Sequence, residues 1–165
     1  MAEVVTFGCR LNAYESEVLK EKLKNIDNLI VINTCAVTGE AERQCRQAIR
    51  KLRRENPSAK IVVTGCSAQI SSSKIAQMPE VDLILGNKEK KEIEKYVADF
   101  TGSSTSKKFV EDIQKDTACD DFMITGFEGR HKAFLQIQQG CNHRCTYCII
   151  PYARGSNRSV PLPLI

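Results

Sequence analysis

Leu29-Ile30-Val31-Ile32-Asn33-Thr34-Cys35 decides the fold of this 165-residue chain. Its first four residues are apolar without alternation, the pattern of a strand buried on both faces. It stops at a polar turn that carries a thiol. The same phrase recurs on either side: Glu3 to Thr6 runs into Phe7-Gly8-Cys9, Ile61-Val62-Val63-Thr64 into Gly65-Cys66, and Val81 to Leu85 into Gly86-Asn87. Each run is followed by a helical pattern. Asn12, with Glu15 three residues on, reads as an N-cap and its capping-box partner, opening a helix with Val18, Leu19, Leu23 and Ile26 as its apolar stripe. Thr38, with Glu40 and Glu42 behind it, opens a helix to about Asn56 that Pro57 closes. A helix from about Ser67 to Gln77 follows the third strand, and one with Ile93, Tyr96, Val97 and Phe100 on one face follows the fourth. Four tightly connected β–α units predict an α/β fold, an open parallel sheet with helices on both faces.

This topology gives the cysteines their meaning. Cys9, Cys35 and Cys66 each lie just past the carboxyl end of a strand, and in a parallel sheet those turns share one edge, where open α/β folds hold their ligands. The chain has eight cysteines and no apolar run near the ~20 residues needed to span a bilayer, and Met1-Ala2-Glu3-Val4-Val5 reads straight into a strand, without the basic n-region and apolar h-region expected of a signal peptide. A cytoplasmic location is therefore expected, where thiols stay reduced and serve metals or clusters rather than disulfides. A net charge of +4 is too mild for a globally basic nucleic-acid surface, so any such surface must be local.

On the helix opened by Thr38, Ala41, Cys45, Ala48, Ile49 and Leu52 share one face, which makes Cys45 a core thiol. Arg43, Arg46, Arg50, Arg53 and Arg54 share the other. That arginine face is either a solvated surface or a phosphate-binding, RNA-facing one, since a guanidinium fork suits phosphate oxygens. Residues 1–100 form the first domain. The small, polar, basic run from Thr101 to Lys108 begins a linker over 101–130, in which Cys119 has no partner at ligand spacing. Residues 131–165 begin a second unit, entered by a strand from Ala133 to Gln138 after Arg130-His131-Lys132; His131 reads as a strand-end residue.

That strand delivers the chain to Gly140-Cys141-Asn142-His143-Arg144-Cys145-Thr146-Tyr147-Cys148, a C-x3-C-x2-C loop. Three thiolates leave a fourth coordination position open on whatever they bind. The spacing matches neither the paired ligands of a structural zinc site nor the C-x2-C-x2-C-x3-C-P run of a bacterial ferredoxin. A Cys3His zinc knuckle using His143, or a redox-idle thiol cluster, is the rival reading. For Cys9, Cys35 and Cys66 the inorganic alternative is a zinc site short of one ligand.

The loop, with an aromatic before its last cysteine, resembles the signature of the radical S-adenosylmethionine (SAM) enzymes. Thr6-Phe7-Gly8-Cys9-Arg10-Leu11-Asn12 with Ser16-Glu17, Asn33-Thr34-Cys35-Ala36-Val37-Thr38, Thr64-Gly65-Cys66, and Gly140 to Cys148 followed by Ile149-Ile150-Pro151 and Arg154-Gly155 together resemble the methylthiotransferases of that class. Val37-Thr38 and Tyr14-Glu15-Ser16-Glu17 look most like the bacterial group acting on N6-threonylcarbamoyladenosine at position 37 of tRNA; the sister group acts on N6-isopentenyladenosine.

The resemblance implies two [4Fe–4S] clusters. Cys141, Cys145 and Cys148 would hold the one that binds and reduces SAM to release a 5′-deoxyadenosyl radical. Cys9, Cys35 and Cys66 would hold an auxiliary cluster carrying the sulfur to be inserted at C2 of the adenine. Tyr147 would lie against the SAM adenine. SAM, tRNA and an electron donor are the implied partners, with no membrane, and a monomer is expected. Family members continue through a partial TIM-type barrel and a small RNA-binding domain, so residues 131–165 correspond to the start of the barrel and the chain is expected to be a truncated form that does not turn over alone. The alternative is a non-catalytic iron–sulfur- or zinc-binding module that touches RNA through its arginine helix face.

Overall fold

In the computed structural model, which describes residues 1–100, 107–117, 126 and 134–164, the apolar runs become β1 (Glu3–Thr6), β2 (Leu29–Thr34), β3 (Lys60–Gly65) and β4 (Leu83–Leu85). With β5 (Lys107–Phe109) they form a five-stranded parallel sheet in the order β1-β2-β3-β4-β5. All six residues of β2 are buried, as its unbroken apolar run requires of a strand covered on both faces.

Strand alternation sorts the core into two layers. Leu29, Val31, Val62, Leu83 and Leu85 point to one face, where Leu19 and Leu23 of α1 (Arg10–Leu23) and Ile93, Val97 and Phe100 of α5 (Ile93–Phe100) cover them. Ile30, Ile32, Ile61, Val63 and Ile84 point to the other, against Ile49 of α2 (Gly39–Glu55), Ala68 of α3 (Cys66–Ile70) and Ile75 of α4 (Ser72–Ile75). The register sustains both layers, with Val31 opposite Val62 and Ile32 opposite Val63. Each such side chain, fully buried, is worth about 1.5–3 kcal/mol relative to exposure. Helices thus cover both faces, as the sequence predicts.

Five local features differ from the sequence reading. Asn12 is not a cap: the cap position lies three residues earlier, at Cys9, so that α1 begins at Arg10, and no side chain caps it. The Asn12 amide instead donates to the carbonyls of Phe7 (2.7 Å) and Thr34 (2.9 Å), which ties the first two turns together. The helix read over Ser67–Gln77 is two short ones, broken at Ser71 (φ −114°, ψ 28°), where three successive serines weaken helical continuity. β4 starts at Leu83 rather than Val81. β5 lies inside the stretch read as linker; it is a charged edge strand, whose lysines are the residues that discourage further pairing. Its apolar anchorage comes from neighbours: the rings of Phe109 and Tyr96 are 4.9 Å apart, and the Lys107 ammonium lies 5.9 Å from the centre of the Phe100 ring.

The strand expected to end at Gln138 is reduced, among the described residues, to β6 (Gln138–Gln139), which pairs antiparallel with β7 (Arg158–Ser159). Between them lie the cysteine loop and α6 (Ile150–Arg154). Gly140 (φ 76°) makes the turn possible, because a Cβ there would fall inside the contact radius of the Ser156 carbonyl. Cys119, Arg130 and His131 lie outside the described residues.

Candidate functional site

At the carboxyl edge of the sheet, three consecutive β–α turns carry Cys9, Cys35 and Cys66. Cys9 precedes α1, Cys35 follows β2, and Cys66 opens α3. Polar residues at the strand ends build the edge. Asn33 donates to the Asn12 carbonyl and the Ser16 hydroxyl, each at 3.1 Å; Thr34 donates to the Thr64 carbonyl at 2.6 Å and accepts from the Ala68 amide at 3.2 Å. Buried hydroxyls and amides here satisfy turn backbone that would otherwise be stranded. Two glycines let the turns close up. A Cβ on Gly8 (φ 102°) would sit 2.7 Å from the Cys35 sulfur, and one on Gly65 (φ 94°) would sit 2.5 Å from the Thr34 carbonyl oxygen.

Cys35 and Cys66 are buried and Cys9 is exposed, so the group of thiols opens to solvent on one side. Burial raises the Cys35 thiol, and the nearby sulfurs of Cys66 and Cys9 push in the same direction. Cys45, predicted as a core thiol, is 2% exposed and lies beneath Cys35, and burial raises it too. Cys66 differs in its partners: the Arg154 Nε–H donates to its sulfur at 3.3 Å and the Asn87 amide at 3.9 Å. A guanidinium aimed at sulfur suits a thiolate better than a neutral thiol.

Arg154 is itself held. It is 3% exposed, forks onto both oxygens of Glu15 and donates to the Asn12 side-chain carbonyl. Lys90, 2% exposed, completes the cluster with Nζ at 2.8 Å from Glu15 Oε2 and 2.8 Å from Asn87 Oδ1. Burial alone would raise the Glu15 carboxyl, but the charges of Arg154 and Lys90 outweigh it and bring it down to about 2. Lys90 is lowered by burial, with Glu15 pulling the other way; burial would lower Arg154 as well, but Glu15 and the Cys66 sulfur together raise it. The sequence reading missed Arg154, Glu15, Lys90 and Asn87 as a set.

The second set of thiols sits on the loop before α6. Cys141 and Cys148 are half-buried and Cys145 is exposed. The Cys141 amide donates to the Gly155 carbonyl at 3.1 Å and the Cys148 amide to the Cys145 carbonyl at 3.0 Å. Arg144 braces the loop, donating to the Cys141 carbonyl and, at 3.0 Å, to Gln114 Oε1. His143 is exposed, and Tyr147 is 91% exposed, its ring free for a ligand's face. Among the described residues, no three Cys, His, Asp or Glu side chains close on a single ion. The donors fit an iron–sulfur cluster all the same: all are soft sulfur, both sets number three, and a multi-iron cluster takes its thiolates farther apart than one ion does.

The arginines of α2 behave differently from one another. Arg43 pairs with Glu40, Arg46 lies 3.7 Å from Glu42, and Arg50 lies 3.9 Å from Glu80. Arg53 is engaged in the fold, donating to the carbonyls of Pro57, Ala59 and Glu80 and pairing with Asp82. Arg50 and Arg54 line an open cleft of about 840 Å³ together with Gln44, Gln47 and Glu80. No described helix is long and apolar enough to cross a membrane.

Comparison with known proteins follows this geometry. Residues 1–86, which contain all three turn cysteines, match the uncharacterized protein family UPF0004. The chain is 48% identical over 167 residues to the threonylcarbamoyladenosine tRNA methylthiotransferase MtaB of Rickettsia prowazekii, an alignment covering 99% of this chain and 38% of that protein. It is 39% identical to the protein of the same name from Aquifex aeolicus, over 97% of this chain and 42% of that one. A tRNA-2-methylthio-N(6)-dimethylallyladenosine synthase of Desulfotalea psychrophila is 32% identical over 92% of this chain and 38% of its own length. The chain thus spans about two-fifths of the length of the curated relatives it matches.

Proposed function

Because the chain belongs to protein family UPF0004 and its relatives carry the name methylthiotransferase, we propose that it provides the two cysteine sites of a tRNA methylthiotransferase whose substrate is N6-threonylcarbamoyladenosine at position 37 of tRNA. The observation that carries this reading is the meeting of Cys9, Cys35 and Cys66 from three separate turns at one sheet edge, beside a loop bearing Cys141, Cys145 and Cys148. Greater identity to the threonylcarbamoyl enzymes than to the dimethylallyl one supports the choice of base.

In this proposal Cys9, Cys35 and Cys66 hold an auxiliary [4Fe–4S] cluster, and Cys141, Cys145 and Cys148 hold a second that binds SAM. When bound, the clusters supply the reductive cleavage of SAM and the sulfur to be transferred. The chain's residues do the rest. Gly8 and Gly65 let the thiol-bearing turns approach, Asn33 and Thr34 lock the strand ends beneath them, and Arg154 donates to the Cys66 sulfur. Three protein ligands at each site leave room for a fourth, non-protein one. Tyr147, standing clear of the loop, offers a face to the SAM adenine, and the exposed arginines of α2 offer phosphate contacts to tRNA.

Anaerobic reconstitution with iron and sulfide counting tests the reading. About eight irons are expected for the chain and about four for a Cys141→Ala/Cys145→Ala/Cys148→Ala variant, as two four-iron clusters require. Substoichiometric iron with one zinc per chain would instead make it a metal-binding module.

A further inference from the structure

Arg154 lies six residues beyond Cys148 yet is buried in the other thiol site. It reaches there as the last residue of α6, and α6 is seated on the same ground: the Asn87 amide donates to the Ala153 carbonyl at 2.7 Å while standing 3.9 Å from the Cys66 sulfur. One side chain therefore belongs to both sites by connectivity and by contact. A purely structural ion pair would be complete with the Glu15 fork alone; here the remaining Nε–H is turned onto sulfur at 3.3 Å.

We infer that Arg154 is a positioning residue that ties the C-x3-C-x2-C segment to the three-thiol site and, by donating to the Cys66 sulfur, raises the reduction potential of the cluster held there. The inference rests on the proposed ligand role of Cys66. Its physical basis is general: hydrogen bonds to ligand sulfur and nearby positive charge withdraw electron density and favour the reduced, more negative cluster. Glu15 and Asn12 keep the guanidinium in that orientation, and Lys90 shares the Glu15 carboxylate, so the buried carboxylate retains a partner when Arg154 is replaced.

The test is spectroelectrochemical titration in the Cys141→Ala/Cys145→Ala/Cys148→Ala background, which leaves one cluster to observe, with Arg154→Met and Arg154→Lys compared against Arg154. Loss of the donor and charge in Arg154→Met is expected to lower the reduced-to-oxidised ratio at a fixed potential about tenfold, which is about 59 mV for one electron. Arg154→Lys, which keeps charge without the planar fork, is expected to fall between. Full iron loading with an unchanged potential in Arg154→Met would overturn the inference and leave Arg154 as a clamp only. If the methionine variant does not load, the lysine variant decides by the same criterion. Failure of the background variant with intact Arg154 to hold about four irons overturns the ligand reading itself, and the inference with it.

Discussion

Glu15 is a carboxylate placed where burial alone would favour its neutral form, and two cations keep it charged. Its folded value of about 2 lies below the ordinary 4.5, so its contribution to stability is fully present above pH 4.5 and is lost as pH falls through 2. The shift corresponds to about 3 kcal/mol. Urea unfolding of the metal-free chain at pH 5 and pH 3 is expected to show a stability loss in this window that Glu15→Gln lacks. Equal pH dependence in the two proteins would mean that the Arg154 and Lys90 charges do not act through Glu15. The same residue shows what a single sequence hides. Its spacing from Asn12 suggests a local capping box, whereas its partner Arg154 is 139 residues away, and no periodicity encodes such a pair.

Among the elements, α2 is the one whose ends and faces were written most plainly. Thr38 caps it by accepting from the Ala41 amide at 3.1 Å, Glu40 and Glu42 occupy the first turn, and Arg53 and Arg54 the last, matching the helix dipole. Thr38→Ala is expected to cost about 1 kcal/mol in chemical denaturation, the usual worth of a threonine cap. An unchanged midpoint would remove the cap from the account. Strands β2 and β3 were equally legible, because burial on both faces demands unbroken apolar runs. β5 was not, because a charged three-residue edge strand draws its stability from Tyr96 and Phe100 rather than from its own pattern. The turn cysteines could be read from topology alone, since parallel strands bring their carboxyl ends to one edge. The lining of that edge by Arg154, Lys90 and Asn87 could not, because it depends on where a later segment docks.

At the scale of the whole molecule, the question is how firmly residues 134–164 are joined to the sheet. Besides Arg154 and the bond from the Asn87 amide to the Ala153 carbonyl, Gln114 donates to the Pro151 carbonyl, and buried Asp116 gathers Lys91 at 2.8 Å and Arg158 at 3.5 Å, its own carbonyl accepting from Arg158 at 3.1 Å. Arg158 is a β7 residue, so Asp116 anchors the two-stranded ribbon that closes the cysteine loop. Removing one partner from a buried pair costs about 3–5 kcal/mol, because the charges left behind stay desolvated. In Asp116→Asn that cost should fall on the docked segment rather than on β1 to β4, whose layers do not involve Asp116. Hydrogen-exchange mass spectrometry is therefore expected to show faster exchange across residues 138–159 with protection of β2 and β3 retained. Equal loss in the strands would mean that sheet and loop open as one cooperative unit. The distinction bears directly on the proposed function: with separable opening, the loop thiols would be free to rearrange round the proposed cluster and SAM while the three turn thiols stay in place.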